Sequence, residues 1–444
     1  MAPLGLTALR KLLRRRPRPQ AWAVPEASWS RAFGLGWKTP YTVRYASNLD
    51  DGPWHGMPLG GFGAGCIGRS SRGDFNLWHL DGGEHWYGTI PDCQFAIWES
   101  DGTTRRAHAL ATAPERDDSR PDADHPLKAW DWYPASTEES QTGTYAARYP
   151  LSWFNYTGVF AAEISCEAFS PVLPGDYQRT SYPVAVFRWQ LRNPTDQPLE
   201  LSLLLSWRNT VGWFTNTDAS AEVHFRDDGS PEHNYAPAIG RGEGQRNRHH
   251  DQPGLTGLLL EGSRSEPIGE GQGPGCLALP DDLADAQVMR CSRWDPSGDG
   301  AEIWSSFAAD GTVADSNNDR ASRGNEQAAA ALAVKVTLAP GESREIPMVI
   351  SWDLPVTSFA SGVSDRRRYT DFFGAAGDSA AAIAAEALRD WPQWRQRIEA
   401  WQQPVLQRSE LPEPLRMALF NELYDLASGG SLWSAARPGD PVGR

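Results

Sequence analysis

Cysteine is scarce in this sequence, with five residues among 444. The five are far apart, odd in number and include no Cys-x-x-Cys pair, so the pattern indicates neither a zinc site nor a disulfide framework. This distribution favours a reducing compartment. Long apolar runs are also missing, because no stretch reaches the roughly 20 apolar residues that a membrane-spanning helix needs. The cysteines are Cys66, Cys93, Cys166, Cys276 and Cys291.

Positive charge is in short supply as well. The chain has 42 Lys and Arg against 56 Asp and Glu, which gives a net charge of −14 and a pI near 5.2. A nucleic-acid-binding protein needs a basic surface, so this composition argues against nucleic acid as a partner. We predict a cytoplasmic protein, with peripheral contact to a membrane as the alternative.

The first twenty residues depart from this acidic character. They combine leucines with six basic residues but lack the continuous apolar core of a secretory signal. We predict that residues 1–39 form a basic, disordered tail, and the alternative is a short basic helix that contacts anionic lipid. The basic residues are Arg10, Lys11, Arg14, Arg15, Arg16 and Arg18.

Tryptophan is abundant, with 20 residues. A flat apolar ring suits the C–H face of a pyranose, so a chain rich in indoles is typical of sugar-handling proteins. Packing of a large core is the competing explanation for each individual ring. Because single cores stop growing near 250 to 300 residues, we expect one large domain and a fragment of another.

Three polar or glycine-rich motifs suggest ligands but have the wrong context. Gly63, Gly65 and Gly68 spell GxGxxG, yet turn residues follow where a dinucleotide site needs a helix. A group of four residues near position 80 and the run 249–251 lack a recognised metal-ligand spacing. We therefore assign no cofactor-binding and no metal-binding residue. The two groups are His79, Asp81, Glu84 and His85, and His249, His250 and Asp251.

Alternating apolar and polar residues predict β-strands in two places. The alternation covers residues 185–191 and 199–207 around a turn at 193–196, and again residues 332–338 and 346–352 around a turn at 340–343. We interpret each pair as a hairpin and predict packed antiparallel sheets. Residues 227–254 and 310–327 have no apolar period and are predicted to be loops. The residues predicted to be buried are Phe187, Trp189, Leu203, Trp207, Val336 and Trp352.

Two helices are predicted between Ser379 and Trp433. In the first, apolar residues recur at steps of three and four, with a kink or a fresh start at Pro392 and an end at Pro404. The second follows Pro412 and ends at Gly429. We expect the first to pack its indoles on the preceding domain and the pair to leave apolar surface exposed. The stripes are Ile383, Ala387, Trp391, Trp394, Ile398 and Trp401, then Leu415, Ala418, Leu419, Glu422, Leu423 and Leu426.

Taken in order, several short motifs resemble the non-lysosomal glucosylceramidases, the β-glucosidases of glycoside hydrolase family 116. No single motif is diagnostic, but their order and spacing together are specific. The resemblance covers nearly the whole chain after Met57. The motifs are Leu59–Arg69, Arg72–Gly73 with Trp78, Pro171–Tyr177, Ser206–Asn209, Asp295–Pro296, Trp352–Pro355, Arg367–Thr370, Phe372–Gly374, Trp401, Pro404–Leu406 and Ala418–Tyr424.

The resemblance implies a mainly β chain, with an antiparallel β-sandwich N-terminal domain followed by the first helices of an (α/α)6 barrel. We expect a sandwich over residues 40–375 and a helical segment over residues 376–444. In the family both catalytic carboxylates lie in the barrel, and here the sequence departs from the family pattern after Gly430, which looks like a truncation. We therefore assign no catalytic residue and expect the chain alone to be inactive.

The resemblance also implies partners. The substrate would be a β-glucoside or a glucosylceramide-like lipid, bound through a downstream helical half, and no cofactor is expected. The rival hypothesis is a non-catalytic carbohydrate-binding or scaffold sandwich, and a third is a fragment with no function of its own. Glu422 stands on a stripe of leucines, so we expect a hydrogen bond or ion pair for it at the domain contact, with a role in a sugar pocket as the alternative.

Overall fold

The computed structural model describes residues 25–35, 56–80, 86–114, 127–213, 223–225, 227–229, 231–233, 244–324, 326–358, 364–428, 431 and 433–435. The described strands are β1 (Trp29–Ala32), β2 (Met57–Leu59), β3 (Cys66–Arg69), β4 (Phe75–His79), β5 (Trp86–Tyr87), β6 (Gln94–Ser100), β7 (Arg105–Ala109), β8 (Gly143–Arg148), β9 (Leu151–Tyr156), β10 (Glu163–Phe169), β11 (Val184–Arg192), β12 (Leu199–Arg208), β13 (Val223–Phe225), β14 (Pro231–His233), β15 (Arg246–Gln252), β16 (Leu255–Glu261), β17 (Gly275–Leu279), β18 (Ala286–Trp294), β19 (Ala329–Leu338), β20 (Ser343–Trp352), β21 (Val356–Ser358) and β22 (Ser364–Arg366).

Helices in the described residues are few and concentrated near the C-terminal end. They are α1 (Ala301–Asp310), α2 (Thr370–Phe373), α3 (Ala380–Leu406), α4 (Glu413–Asn421) and α5 (Asp425–Ser428), with 3-10 turns at Arg179–Ser181 and Glu422–Tyr424. The chain is therefore mainly β with a few C-terminal helices, as predicted.

Two large antiparallel sheets form the body of the molecule. The nine-stranded sheet has the order β1-β8-β9-β10-β11-β20-β17-β16-β15, and the five-stranded sheet has the order β18-β19-β12-β6-β7. Among the described residues a four-stranded sheet, β2-β3-β4-β5, and two two-stranded ribbons accompany them. All the pairings between these strands are antiparallel, as expected of a chain built from alternating segments.

Strand alternation divides the apolar residues into layers. Phe187 and Trp189 of β11 and Leu203 of β12 point into one cluster between the two sheets. Val186 of β11 lies instead in a second cluster beneath α3, and Leu204 of β12 lies in a third beneath α1. Each large sheet is thus covered on both faces over its centre, because successive side chains on a strand point to opposite faces. The six residues predicted to be buried are all buried.

The two predicted hairpins are wrong. β11 pairs with β10 and β20, whereas β12 pairs with β6 and β19, so β11 and β12 lie in different sheets, and so do β19 and β20. Each connection crosses from one sheet to the other. The crossings lie side by side, where the buried Asn193 side chain donates to the carbonyl of Leu338 at 2.9 Å. A period-two pattern is compatible with a hairpin and with a crossing between sheets. It specifies which side chains are buried, but it does not specify which strand forms the backbone hydrogen bonds.

Three further expectations differ from the structure. Trp29–Ala32, within the predicted tail, is β1 and pairs with β8. Part of the predicted loop 227–254 is β15, which pairs along its length with β16 and has a polar sequence because it forms the edge of the nine-stranded sheet. Helix α1 was not predicted, because its 10 residues include only three large apolar side chains, those of Ile303, Trp304 and Phe307. The loop predicted after Asp310 is confirmed.

The C-terminal helices are confirmed with different boundaries. α3 runs without interruption through Pro392 and Pro404, so neither a fresh start nor an end occurs at these residues. Its packing on the sheet outweighs the loss of two backbone donors. All five cysteines are buried thiols, and no helix in the described residues is long and apolar enough to cross a membrane.

Candidate functional site

Helix α3 is the element that attaches the helical segment to the sandwich. Its apolar face packs on the outer face of the nine-stranded sheet, where Ile383, Trp394 and Ile398 meet Val186 and Val349. The predicted indole stripe is confirmed in part, because Trp394 is fully buried while Trp391 and Trp401 are only partly buried. Burial of this kind fixes the direction in which the chain leaves the sandwich.

The start of α3 is held by a buried carboxylate. Asp353, at the end of β20, accepts hydrogen bonds from the Tyr369 hydroxyl at 2.8 Å and from the Ser379 backbone N–H at 2.7 Å. Burial raises the pKa of Asp353, against the lowering effect of these two hydrogen bonds. The Ser379 hydroxyl also donates to the carbonyl of Phe373 at 2.8 Å. Strand β20, helix α2 and the start of α3 are thereby fixed relative to one another.

Two side-chain amides fix the other end of the helical segment on the turn between β8 and β9. Gln402 of α3 donates to the carbonyl of Tyr149 at 2.8 Å and accepts from Arg148 at 2.9 Å. Asn421 of α4 accepts from the Tyr149 N–H at 2.8 Å and donates to the carbonyl of Ala147 at 3.2 Å. All the groups involved are buried, so each bond replaces hydration that the group has lost.

An apolar cleft opens between these helices and the sandwich, and we call it the C-terminal cleft. Its volume is about 200 Å³. Trp433 lies 5.7 Å from Tyr177 and 6.2 Å from Phe62, measured between ring centroids. Backbone bonds hold this indole in place, since the carbonyl of Trp433 accepts from the Arg368 N–H at 2.7 Å. The principal side chains of the cleft are Phe62, Leu173, Tyr177, Trp401, Leu426 and Trp433.

One glycine makes the approach of Trp433 feasible. Gly63 has a φ of +68°, and a Cβ atom added there would stand 2.6 Å from the Cβ of Trp433. Both the left-handed backbone and the missing side chain are therefore required. The GxGxxG pattern thus serves close packing around β3, and its last glycine, Gly68, lies within that strand where a dinucleotide site would need a helix.

A charged rim borders the C-terminal cleft. Asp176 accepts from Arg397 of α3 at 2.6 Å and pairs with Arg179 at 3.2 Å. Burial acts to raise the pKa of Asp176, but the hydrogen bond from Arg397 and the other contacts outweigh it, so the pKa is lowered overall. This carboxylate stays ionised at neutral pH, and its ion pair with Arg397 holds the loop around residue 176 on α3.

The outer face of α4 and α5 is apolar, and no described residue covers it fully. Leu415, Leu419 and Leu426 are each between 43% and 48% exposed. The buried side is a different one, where Phe420 packs against Trp401 of α3, Asn421 bonds to the turn between β8 and β9, and Ala427 enters the central core. The predicted stripe is therefore confirmed in part: Leu415 and Leu419 are exposed, whereas Leu423 packs against the central core and lines the C-terminal cleft together with Leu426.

The carboxylates singled out in the sequence do not assemble into a site. Glu422 is exposed on the leucine face, and the described residues provide no hydrogen bond or ion pair for it, so the expected partner across a domain contact is not found there. Asp81, Glu84 and His85 lie outside the described residues, while His79 is buried on β4.

His249 and Asp251 take part in cross-strand bonds. The Nε2 atom of His249 is 2.9 Å from the carbonyl oxygens of Arg290 and Ser316, and Asp251 pairs with Arg290 at 2.7 Å. Among the described residues no group of three or more His, Cys, Asp or Glu is arranged to hold a metal ion.

The fold and the cleft define a class: a two-sheet antiparallel module that carries a firmly attached helical segment with an uncovered apolar face. The sequence matches a family model described as beta-glucosidase 2, glycosyl-hydrolase family 116 N-term, over residues 56–394. This is more than half of the chain. The chain belongs to glycosyl-hydrolase family 116, which confirms the resemblance seen in its motifs. The match ends within α3, so this family region includes the first part of that helix.

Two solved structures show weak similarity. One is described as a kojibiose phosphorylase from the human microbiome, with 8% identity, a TM-score of 0.35 and coverage of 91% of this chain and 43% of that one. The other is a GH36 alpha-galactosidase from Geobacillus stearothermophilus in complex with stachyose, with 10% identity, a TM-score of 0.20 and coverage of 60% and 30%. The chain spans less than half the length of either, and similarities this low have no bearing on function.

Sequence reasoning missed the C-terminal cleft. Its walls come from five segments that are distant in the sequence: Phe62, Tyr149, residues 172–180, Trp401, and the C-terminal residues Leu423, Leu426 and Trp433. The available signal was the glycine-rich stretch before β3 together with an indole at the end of the helical segment. Neither one alone indicates that the two segments touch.

Proposed function

We propose that this chain is the non-catalytic N-terminal module of a retaining β-glucosidase of the glucosylceramidase type. Its role is to carry a helical catalytic domain, which supplies both reacting carboxylates. Retaining hydrolysis needs a nucleophile and an acid/base carboxyl about 5 to 5.5 Å apart. By the family resemblance that pair belongs to the helical barrel.

The exposed leucine face beside the C-terminal cleft is the observation that supports this proposal most directly. Leu415, Leu419 and Leu426 are exposed on α4 and α5, and Leu426 lines the same cleft as the exposed Tyr177. Contiguous apolar surface of this kind typically marks a contact with another protein or domain. Because α3 and α4 are fixed on the sandwich by Asp353, Gln402 and Asn421, the face is presented in one orientation to the helices that would continue the barrel.

The remaining features of the proposal follow from the family. The substrate is a β-glucoside or glucosylceramide-like lipid, bound mainly by the helical domain, and no cofactor or nucleic acid takes part. The module comprises a sandwich that includes β1 and extends to residue 375, followed by a helical segment over residues 376–444. We place the enzyme in the cytoplasm, and contact of the basic residues 10–18 with anionic lipid at a membrane surface is the alternative.

Release of the aglycone from an aryl β-glucoside tests the proposal. The 444-residue chain alone should give no turnover, and the variants Glu422→Gln and Glu84→Gln should be indistinguishable from it. Addition of a separately expressed helical half of a family 116 β-glucosidase should produce activity. Turnover by the chain alone that disappears in either variant would place a working site within these residues and contradict the proposal.

A matched pair of variants tests where the helical half binds. Leu419→Glu places a charge on the leucine face, whereas Leu35→Glu places one at a leucine that is 39% exposed elsewhere. Complementation should be lost with Leu419→Glu and kept with Leu35→Glu. Equal activity from the two variants would show that the leucine face is not the contact.

A further inference from the structure

A second, polar groove lies on the opposite side of α3 from the C-terminal cleft, and we call it the α3 groove. One wall is the outer face of the nine-stranded sheet, with Trp153, Arg188 and Gln190, and the other is α3, with Arg395, Glu399 and Gln403. Its volume is about 770 Å³. This is within the range of about 300 to 1,000 Å³ found for ligand sites.

The floor of the groove is held rigid by one carboxylate. Glu167 on β10 is 1% exposed and accepts from Trp153 Nε1 at 2.8 Å, from Arg188 at 3.3 Å and from Arg395 at 3.1 Å. These contacts join three neighbouring strands to α3, because Glu167 stands opposite Trp153 on one side and Arg188 on the other. A preorganised floor reduces the cost of ordering side chains when a ligand binds.

The walls carry hydrogen-bonding capacity that the protein itself leaves unused. The Gln190 amide makes no hydrogen bond with any described residue, and its Oε1 atom is buried. A buried acceptor without a partner is unfavourable, so a donor that reaches Oε1 from the groove would stabilise it. At the end of α3, the side-chain amide of Gln407 donates to the side-chain oxygen of Gln403 at 3.1 Å, and the two side chains make no other hydrogen bond among the described residues, which leaves further donors and acceptors along the rim.

The formal charges of the groove cancel. Arg148, Arg188 and Arg395 face Glu26, Glu167 and Glu399. Burial and the neighbouring Arg395 lower the pKa of Arg148 to about 10, so it is still protonated at neutral pH. A groove without net charge, in a chain whose net charge is −14, does not select an anion.

We propose that the α3 groove is a binding site for a neutral oligosaccharide. Planar guanidinium, amide and carboxylate groups on both walls match the paired hydroxyls of a pyranose, which donate and accept at once. This site is separate from the catalytic domain of the proposed function, and it requires only residues of this module. It gives the module a direct role in holding a glycan.

Isothermal titration with cellotetraose and laminaritetraose tests the proposal, with tetragalacturonate as the anionic comparison. Saturable binding is expected for at least one neutral probe. Gln190→Ala and Gln403→Ala should each weaken that binding about tenfold or more, as expected for one or two lost hydrogen bonds. Gln141→Ala, at an exposed turn whose amide bonds only the carbonyl of Thr137, is the matched control and should bind as the wild type does.

Three outcomes would overturn the proposal. These are no saturable heat with either neutral probe up to about 10 mM, preferential binding of tetragalacturonate, and equal weakening by the Gln141 and Gln190 variants. None of these results depends on aglycone release, so failure here is distinguishable from failure of the proposed function.

Discussion

Removal of the Glu167 carboxylate is expected to destabilise the contact between α3 and the sandwich. Glu167→Ala leaves the indole N–H of Trp153 without its acceptor and removes the buried carboxylate from Arg188 and Arg395, which keep only the more exposed Glu345 and Glu399. Deleting one partner of a buried ion pair costs about 3 to 5 kcal/mol. Arg188 and Arg395 are 22% and 24% exposed and regain part of their hydration, so we expect a loss of about 3 kcal/mol, at the lower end of that range.

Two further variants distinguish the contribution of the Glu167 charge to stability from that of the side chain's shape. Glu167→Gln keeps an acceptor for Trp153 but removes the charge, and it should cost about 1 to 2 kcal/mol. Glu399→Gln removes the other carboxylate that Arg395 contacts, but this one is 50% exposed, so the cost should stay below about 1 kcal/mol. The expected order of destabilisation is therefore Glu167→Ala, then Glu167→Gln, then Glu399→Gln.

Urea unfolding followed by tryptophan fluorescence provides the measurement, with the m-values compared to check that the same surface is exposed. A double-mutant cycle with Arg395→Met should give a coupling free energy of about 0.5 to 3 kcal/mol. A loss under about 1 kcal/mol for Glu167→Ala, or no coupling to Arg395, would refute the argument that this carboxylate joins the sheet to α3.

Three other variants probe the core, the cleft and the start of α3. Leu203→Ala should cost about 2 to 5 kcal/mol in urea unfolding, against under about 0.5 kcal/mol for the exposed Leu415→Ala, and equal values would place Leu203 outside the core. Gly63→Ala should displace Trp433 and speed hydrogen exchange at the Arg368 amide, because the new Cβ would clash with the indole, and unchanged exchange would contradict this packing. Because the pKa of Asp353 is raised by burial above 3.8, its contribution is complete at low pH and is lost as pH rises through the raised pKa. The stability of the wild type relative to Asp353→Asn should therefore fall with rising pH, and a difference that is flat or grows would contradict the assignment.

The sequence predicted much of the secondary structure because local patterns carry that information. Alternation along residues 185–191 and 199–207 determined which side chains enter the central core, and Phe187, Trp189 and Leu203 are buried there. Steps of three and four from Ile383 to Ile398 determined the helical face that packs on the sheet. The order of the short motifs also sufficed to identify the family, as the match over residues 56–394 confirms.

Only the tertiary structure decided which strands pair and which distant segments meet. β11 and β12 form a crossing between sheets because their edges bond to β20 and β19, and a period-two pattern does not record the choice of neighbour. The same holds for the C-terminal cleft, where Phe62 and Trp433 meet although most of the chain lies between them in the sequence. Local sequence sets the face that a segment buries, whereas contacts between remote segments depend on how the complete core packs.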